Sequence, residues 1–430
     1  MLLFRLQRIA PTINEDKVEI ETHMINNNVN NIIVLAITIF CLNIFFSKRI
    51  RTSKMWHATV TPLASIIGSG FLVSAPLLVL IGGRYAAILM LVVVVIAYAL
   101  GGSIRLNILY AERTLNNLKA QNSKNYLRTL SNFTLGIAYL ISVAFYLKLL
   151  SAFCLEAVGY KTVLNENIFT TALLVFIGIV GKLRGLKWLE VIEVYCVNTK
   201  LAIITAMLSA YAIYNIDVIM TGSPQPIISP KETLWLGFRK ILGIIIIIQG
   251  FETSRYLREA YDPKTLILSM RNAQIISGII YVIFITLTMI VIGNTPEIKE
   301  TLIMTVSSKV ATSLPFLLLI AAVMSQFSAA IADTIGGGGL LIEVLKKKIS
   351  IKNAYLIMAI FTCILTWLTN IFEIIVIASK AFALYYFFQI NITLINLKYH
   401  PVKIKWLYSL FYFLLMILMG MAVILGIPAA

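Results

Sequence analysis

Charge is what this sequence has least of. Of 430 residues only 13% are Asp, Glu, Lys or Arg, while 59% are hydrophobic and the mean hydropathy is +0.90. That balance leaves no soluble globular domain to place and reads as a polytopic α-helical membrane protein. Histidine and cysteine are scarce too. His23, His57 and His400 have no carboxylate beside them, and Cys41, Cys154, Cys196 and Cys363 all lie in apolar segments without metal-ligand spacing. A disulfide framework, a metal centre and a His/Cys/Asp catalytic cluster are excluded on these grounds. Nothing calls for a cofactor, and the chain does not read as an enzyme. No GxxxxGK[ST] stretch is present, so no phosphate-binding loop of that kind powers a pump.

Positive charge is the exception to the scarcity. The 36 Lys and Arg outnumber the 19 Asp and Glu, giving a net charge of +17. In a soluble protein this excess would point to nucleic acid. Here the basic residues sit mostly in short loops between apolar segments, so the bilayer is the partner and nucleic acid is not. With the start of the first core span in the cytoplasm, the inner loops carry about twice as many Lys and Arg as the outer ones. The expected setting is a multi-pass protein of a prokaryotic cell (inner) membrane.

Residues 1–56 form a polar tail with a candidate extra transmembrane helix over 30–46, short for a span. Eleven spans follow, at about 57–81, 86–103, 131–154, 168–181, 188–214, 234–257, 273–292, 310–332, 353–371, 373–397 and 406–427. The first ten make a transporter core over 57–397, in two halves over 57–214 and 234–397; residues 398–430 add a C-terminal span. Gly82-Gly83, Gly101-Gly102 and the run 336–339 read as span ends.

Two spans are interrupted. Gly68-Ser69-Gly70 lies in the middle of span one, where a plain anchor would carry Leu or Val, and Gln249-Gly250-Phe251-Glu252 follows an unbroken isoleucine run in span six. Glycine costs about 1 kcal/mol in a helix interior. A broken helix in lipid needs protein or a water-filled cavity to satisfy its freed N–H and C=O groups. Close helix packing by small residues is the other reading of such glycines. Breaks five spans apart are the trace of an inverted five-helix repeat with a substrate site between them.

Three elements at matching span positions carry a family resemblance. Ile66-Ile67-Gly68-Ser69-Gly70-Phe71 resembles the IIGSGIF element in helix one of the amino acid–polyamine–organocation permeases, a family of the LeuT-type superfamily. Gly250-Phe251-Glu252, with Glu259, Asp262-Pro263 and Lys264 behind it, resembles that family's GFE…E…NPxR element. Gly185-Leu186-Lys187-Trp188 and Val197-Asn198-Thr199-Lys200-Leu201 resemble the start of helix five and its central lysine. The family's P-x-x-G-G-x-Y after helix two is absent, and Met324-Ser325-Gln326-Phe327-Ser328 is similar instead to helix eight of the sodium–solute symporters. The resemblance implies an all-α integral membrane protein with a LeuT-type 5+5 inverted repeat, discontinuous core helices one and six, and 11–12 transmembrane helices.

It also implies a secondary transporter of amino acids or related amines, working by alternating access and coupled to protons or run as an exchanger. A sodium–solute symporter of the same fold and a non-transporting receptor on that scaffold are the alternatives. Ile67, Gly68, Ser69, Gly70, Gly250 and Phe251 are the candidate substrate-binding residues. Half-helix N-termini favour a carboxylate and C-termini an ammonium, a pair of charges that a free amino acid presents. Lys200 lies mid-span, too deep to snorkel comfortably, where an ammonium is costly and marks function by default. By the resemblance it takes the space that sodium fills in sodium-coupled relatives. Ser325 and Ser328 are the residues that would ligate sodium instead, though a serine in a membrane helix often bonds its own backbone. Glu252 and Arg255, spaced i, i+3, are candidates for a cytoplasmic gate or a plain pair. Lys148, near the outer end of span three, is expected to snorkel.

Overall fold

The computed structural model describes residues 29–68, 70–110, 117–184, 190–221, 233–245, 247–254, 261–293, 299–346, 348–399 and 405–428, with side chains from residue 194 onward in the segment that starts at 190. Every regular element among them is helical. The first is α1 (Val29–Phe45). The core follows as α2 (Lys54–Gly68), α3 (Phe71–Gly82), α4 (Ala86–Leu109), α5 (Leu118–Ala157), α6 (Val163–Leu183), α7 (Glu190–Met220) and α8 (Leu234–Ile244). Its second part comprises α9 (Pro263–Ile292), the short α10 (Leu302–Ser307), α11 (Leu314–Val344), α12 (Ile351–Leu368) and α13 (Ile371–Tyr399), and α14 (Lys405–Leu425) closes the chain. Nine helical stretches among the described residues are long and apolar enough to cross a membrane. The two spans expected to be discontinuous are those that no single long helix covers: α2 and α3 share span one, and α8 ends at the Gly250 break of span six.

The packing reflects the repeat. Helix α4 packs on α9, α5 on α11, and α6 on α12, so spans two, three and four each meet the span five places later. Elements related by an in-plane pseudo-two-fold meet their own mates in this way. The two breaks meet as well: the side chain of Ile247 lies over Gly70, and Gly250 abuts Ser65. The protein is therefore a multi-pass integral membrane protein with the expected all-α, LeuT-type architecture.

Two glycine motifs behave differently from the sequence reading. Gly101-Gly102 lies inside α4 and the run 336–339 lies inside α11, so neither ends its span. Neighbouring side chains occupy the space a Cβ would need. A Cβ on Gly101 would lie 2.2 Å from Oε1 of Gln274, and one on Gly338 would lie 2.6 Å from the Tyr355 ring. These glycines let α4 and α9, and α11 and α12, approach closely. A Gly338→Val variant is expected to be destabilised by about 1–3 kcal/mol through overpacking, read as a lower thermal midpoint of the purified protein.

Lys148 does not snorkel. It is buried, and its Nζ donates to the carbonyls of Thr366 at 3.1 Å and Thr369 at 2.5 Å. It caps the C-terminal end of α12, where cations favour the helix dipole. Span three is longer than expected: α5 starts at Leu118, N-capped by Asn117, whose side chain accepts from the Ala120 amide. Helix α1 is tied at both ends. Asn31 exchanges hydrogen bonds with Thr312 and Ser313 just before α11, and the Phe45 carbonyl accepts from Asn198 on α7. At 1.5 Å per residue it is about 25 Å long, slightly less than the hydrocarbon thickness.

Candidate functional site

A helix C-terminus leaves its last carbonyls without intrahelical partners. At the end of α2 these groups find side chains from three other spans. Lys200 on α7 donates its Nζ to the Ala64 carbonyl at 2.9 Å. Tyr281 on α9 donates to the Ile66 carbonyl at 3.0 Å, and Ser325 on α11 to the Ile67 carbonyl at 3.2 Å. The break is thus held open by its surroundings, as a discontinuous helix in lipid requires. Close packing also contributes: a Cβ on Gly68 would lie 2.9 Å from that of Ala329. Beyond the break Gly70 caps α3, whose first amides point back toward the gap. Ile67, Gly68 and Gly70 are all buried there.

The second break is stitched to the first. Tyr281 also reaches the Ile247 carbonyl, at 3.4 Å. Gly250 has φ +112°, and a Cβ there would lie 2.2 Å from Ser65 Oγ and 2.8 Å from the Ser65 carbonyl carbon. Only glycine suits both that backbone conformation and that approach. Its amide donates to Glu252 Oε2 at 3.0 Å, and its carbonyl accepts from Thr253 Oγ1 at 2.7 Å. Phe251 is fully buried and stacks on Tyr386 of α13, centroids 5.3 Å apart.

The structure brings most of the sequence-derived residues together. Lys200 is fully buried, and its Nζ lies 3.4 Å from Ser325 Oγ as well as on the Ala64 carbonyl. One ammonium therefore sits between α2 and α11, against the hydroxyl considered for sodium. Ser328 is not part of this set; it donates to the Ser325 carbonyl at 3.1 Å, a bond within its own helix. Glu252 is fully buried at the break and accepts from Tyr386 Oη at 2.7 Å. Ser69 and Arg255 lie outside the described residues, as do residues 185–188 and Glu259. Among the described residues no group of three or more His, Cys, Asp or Glu is arranged to hold a metal.

Four side chains at this centre escaped the sequence reading: Tyr281, described above, and Tyr146, Tyr386 and Asp333. Tyr146 on α5 accepts from Gln249 Nε2 at 3.0 Å, Tyr386 holds Glu252, and Asp333 on α11 is 1% exposed. Asp333 was findable by the rule that singles out Lys200, since an acid inside a membrane helix is a functional candidate. Taking the glycine run 336–339 as a span end placed Asp333 at the edge, whereas α11 continues to Val344. A separate cavity of about 740 Å³ is lined among others by Lys148, Glu156, Lys161, Glu166 and Glu300. Lys161 pairs there with Glu300 at 2.8 Å and Glu156 at 3.4 Å.

Residues 48–426 match the model of the APC superfamily transporter family. An uncharacterized protein of Aquifex aeolicus (strain VF5) is 44% identical over 364 residues, covering 83% of this chain and 88% of that protein. Among solved structures, Mhp1, a nucleobase-cation-symport-1 family transporter in a closed conformation with bromovinylhydantoin bound, is similar over 87% of this chain and 91% of its own, with a TM-score of 0.49 and 14% identity.

Proposed function

The chain belongs to the APC superfamily of transporters, and from that premise we propose that it is a secondary transporter moving amino acids or related amines by alternating access, coupled to protons or run as an exchanger. The observation that carries the reading is the meeting of the two broken helices, with Gly250 against Ser65 and Ile247 over Gly70. Amides at the start of α3 suit a carboxylate, and carbonyls at the end of α2 suit an ammonium. Ile67, Gly68, Ser69, Gly70, Gly250 and Phe251 are the proposed contacts. Phe251 would act as a lid, and Glu252 with Arg255 as the inner gate.

Lys200 is the proposed coupling residue. Its ammonium lies where a monovalent ion would otherwise meet the Ala64 carbonyl and Ser325, which favours proton coupling or exchange over sodium. A bacterial relative and the bias of basic loop residues fit the inner membrane of a prokaryote.

Ligand-induced thermal stabilisation tests the substrate class. A ligand that binds only the folded protein adds about 2.7 kcal/mol at a hundred times its dissociation constant. Members of an amino acid and amine panel are expected to raise the midpoint of the wild-type protein, but not of Gly250→Leu. Stabilisation by another chemical class alone would refute the assignment.

A further inference from the structure

The end of the bundle where α2 and α9 begin holds a second cavity, of about 390 Å³. One wall comes from residues 49–59, which lead into α2, and the other from α9. Arg49, Ser53 and Trp56 line the first wall; Asn272, Ile275 and Ile276 line the second. The polar lining is rich in donors. Arg49 brings a guanidinium and Asn272 a side-chain amide. Ser53 Oγ accepts from the Trp56 amide at 3.3 Å, which leaves its O–H to donate. Trp56 is fixed in place: its indole donates to Asn198 Oδ1 at 3.1 Å, and its ring stacks on Phe45 of α1, centroids 6.1 Å apart.

The charge carried by the two walls has one sign. Lys48, Arg51 and Lys54 stand beside Arg49 in the chain, and Arg271 precedes Asn272; all five basic residues are exposed. The sequence has no Asp or Glu between Glu21 and Glu112, and none within α9. Asp262, which caps α9, already accepts from the amide and the hydroxyl of Thr265. Cationic and neutral donors converging on one cavity suit the oxygens of a phosphate diester. Apolar surface continues from the cavity along α9. Ile275 lines the cavity and starts a strip of exposed residues with Ile279 and Ile283. Spaced four apart, the three share one face of the helix, about 12 Å long. A soluble anion would use the donors and leave the strip idle, whereas a phospholipid uses both.

We propose that this cavity binds an anionic phospholipid, its phosphate held by Arg49, Ser53 and Asn272 and one acyl chain laid along Ile275, Ile279 and Ile283. Juxtamembrane basic clusters and basic pockets between membrane helices recognise anionic lipid heads through the same chemistry. The bias of basic loop residues puts this end of the bundle at the inner face, and tryptophan is a residue type that sits at headgroup level. Bound there, the lipid joins α9 to α2, the half-helix that ends at the Gly68 break. None of these residues belongs to the proposed substrate set, so the lipid site stands whether or not the transport reading does.

Native mass spectrometry of the purified full chain reads lipid retention directly, without any substrate. The protein in neutral detergent is offered an equimolar mixture of phosphatidylglycerol and phosphatidylcholine with the same acyl chains. The wild type is expected to retain phosphatidylglycerol in preference. Arg49→Gln removes a cation from the cavity and Asn272→Asp adds an acid; each should lower that retention about fivefold or more. Lys119→Gln, at an exposed basic residue on α5, should leave it unchanged. Arg49 is exposed, so its variant is expected to fold. Equal retention of the two lipids overturns the proposal. Retention indifferent to Arg49→Gln does so too, because the guanidinium would then be committed to another group. An equal loss in Lys119→Gln would reduce the effect to diffuse attraction at the basic end and overturn the site. Glycerol phosphate at the concentration of the lipid is expected not to displace it; displacement would make this a site for a free phosphate and contradict the lipid assignment.

Discussion

Lys200→Ala is expected to uncouple uptake from a proton gradient. The side chain is fully buried, and its ammonium joins three spans by way of the Ala64 carbonyl on α2 and Ser325 on α11. Alanine leaves that carbonyl without its donor, at a cost of about 1–3 kcal/mol in a buried setting. It also removes the ammonium from this position. Acceleration of uptake by an imposed pH gradient should fall by about tenfold or more, equivalent to 1.4 kcal/mol or more of lost coupling. An unaltered response to pH would remove Lys200 from the mechanism. Ser325→Ala gives a graded comparison, since it removes one contact of the ammonium and leaves the stronger one.

The second large effect is expected at the breaks. Gly68→Leu, Gly70→Leu and Gly250→Leu should each abolish substrate binding while leaving membrane insertion intact. Their first side-chain atom would lie 2.9 Å from Ala329 Cβ, 2.7 Å from Ile247 Cγ1 and 2.2 Å from Ser65 Oγ, respectively. Gly250 is the most demanding, because its φ of +112° penalises any L side chain as well. Strain of that kind costs about 1–3 kcal/mol, and overpacking adds a similar amount. Insertion depends on span hydrophobicity, which leucine raises. Unchanged uptake in the Gly250 variant would show that the two breaks need not meet.

Much of this architecture was legible because a bilayer leaves few options. Hydropathy and the basic loops placed the spans, and glycines where Leu or Val belongs gave away the breaks. Lys200 stood out because an ammonium in a membrane helix has few explanations. What stayed hidden was pairing across the bundle. Nothing local tells that Lys148 caps α12, or that Tyr281 joins both breaks through the Ile66 and Ile247 carbonyls. The glycine run 336–339 misled for a physical reason: the composition that ends a helix in water lets two helices pack closely in a membrane. That misreading concealed Asp333. Glu252 was read beside Arg255, which lies outside the described residues; that its hydrogen bonds run to Tyr386 and to the amide of Gly250 had no local signal.

Uptake of a labelled amino acid mixture into proteoliposomes, with a pH gradient or a sodium gradient imposed separately, tests the central claim most directly. The account predicts accumulation driven by the pH gradient and indifferent to sodium, with the effect lost in Lys200→Ala. Acceleration by sodium alone would contradict it, and would turn Ser325 from a partner of Lys200 into a candidate ion ligand.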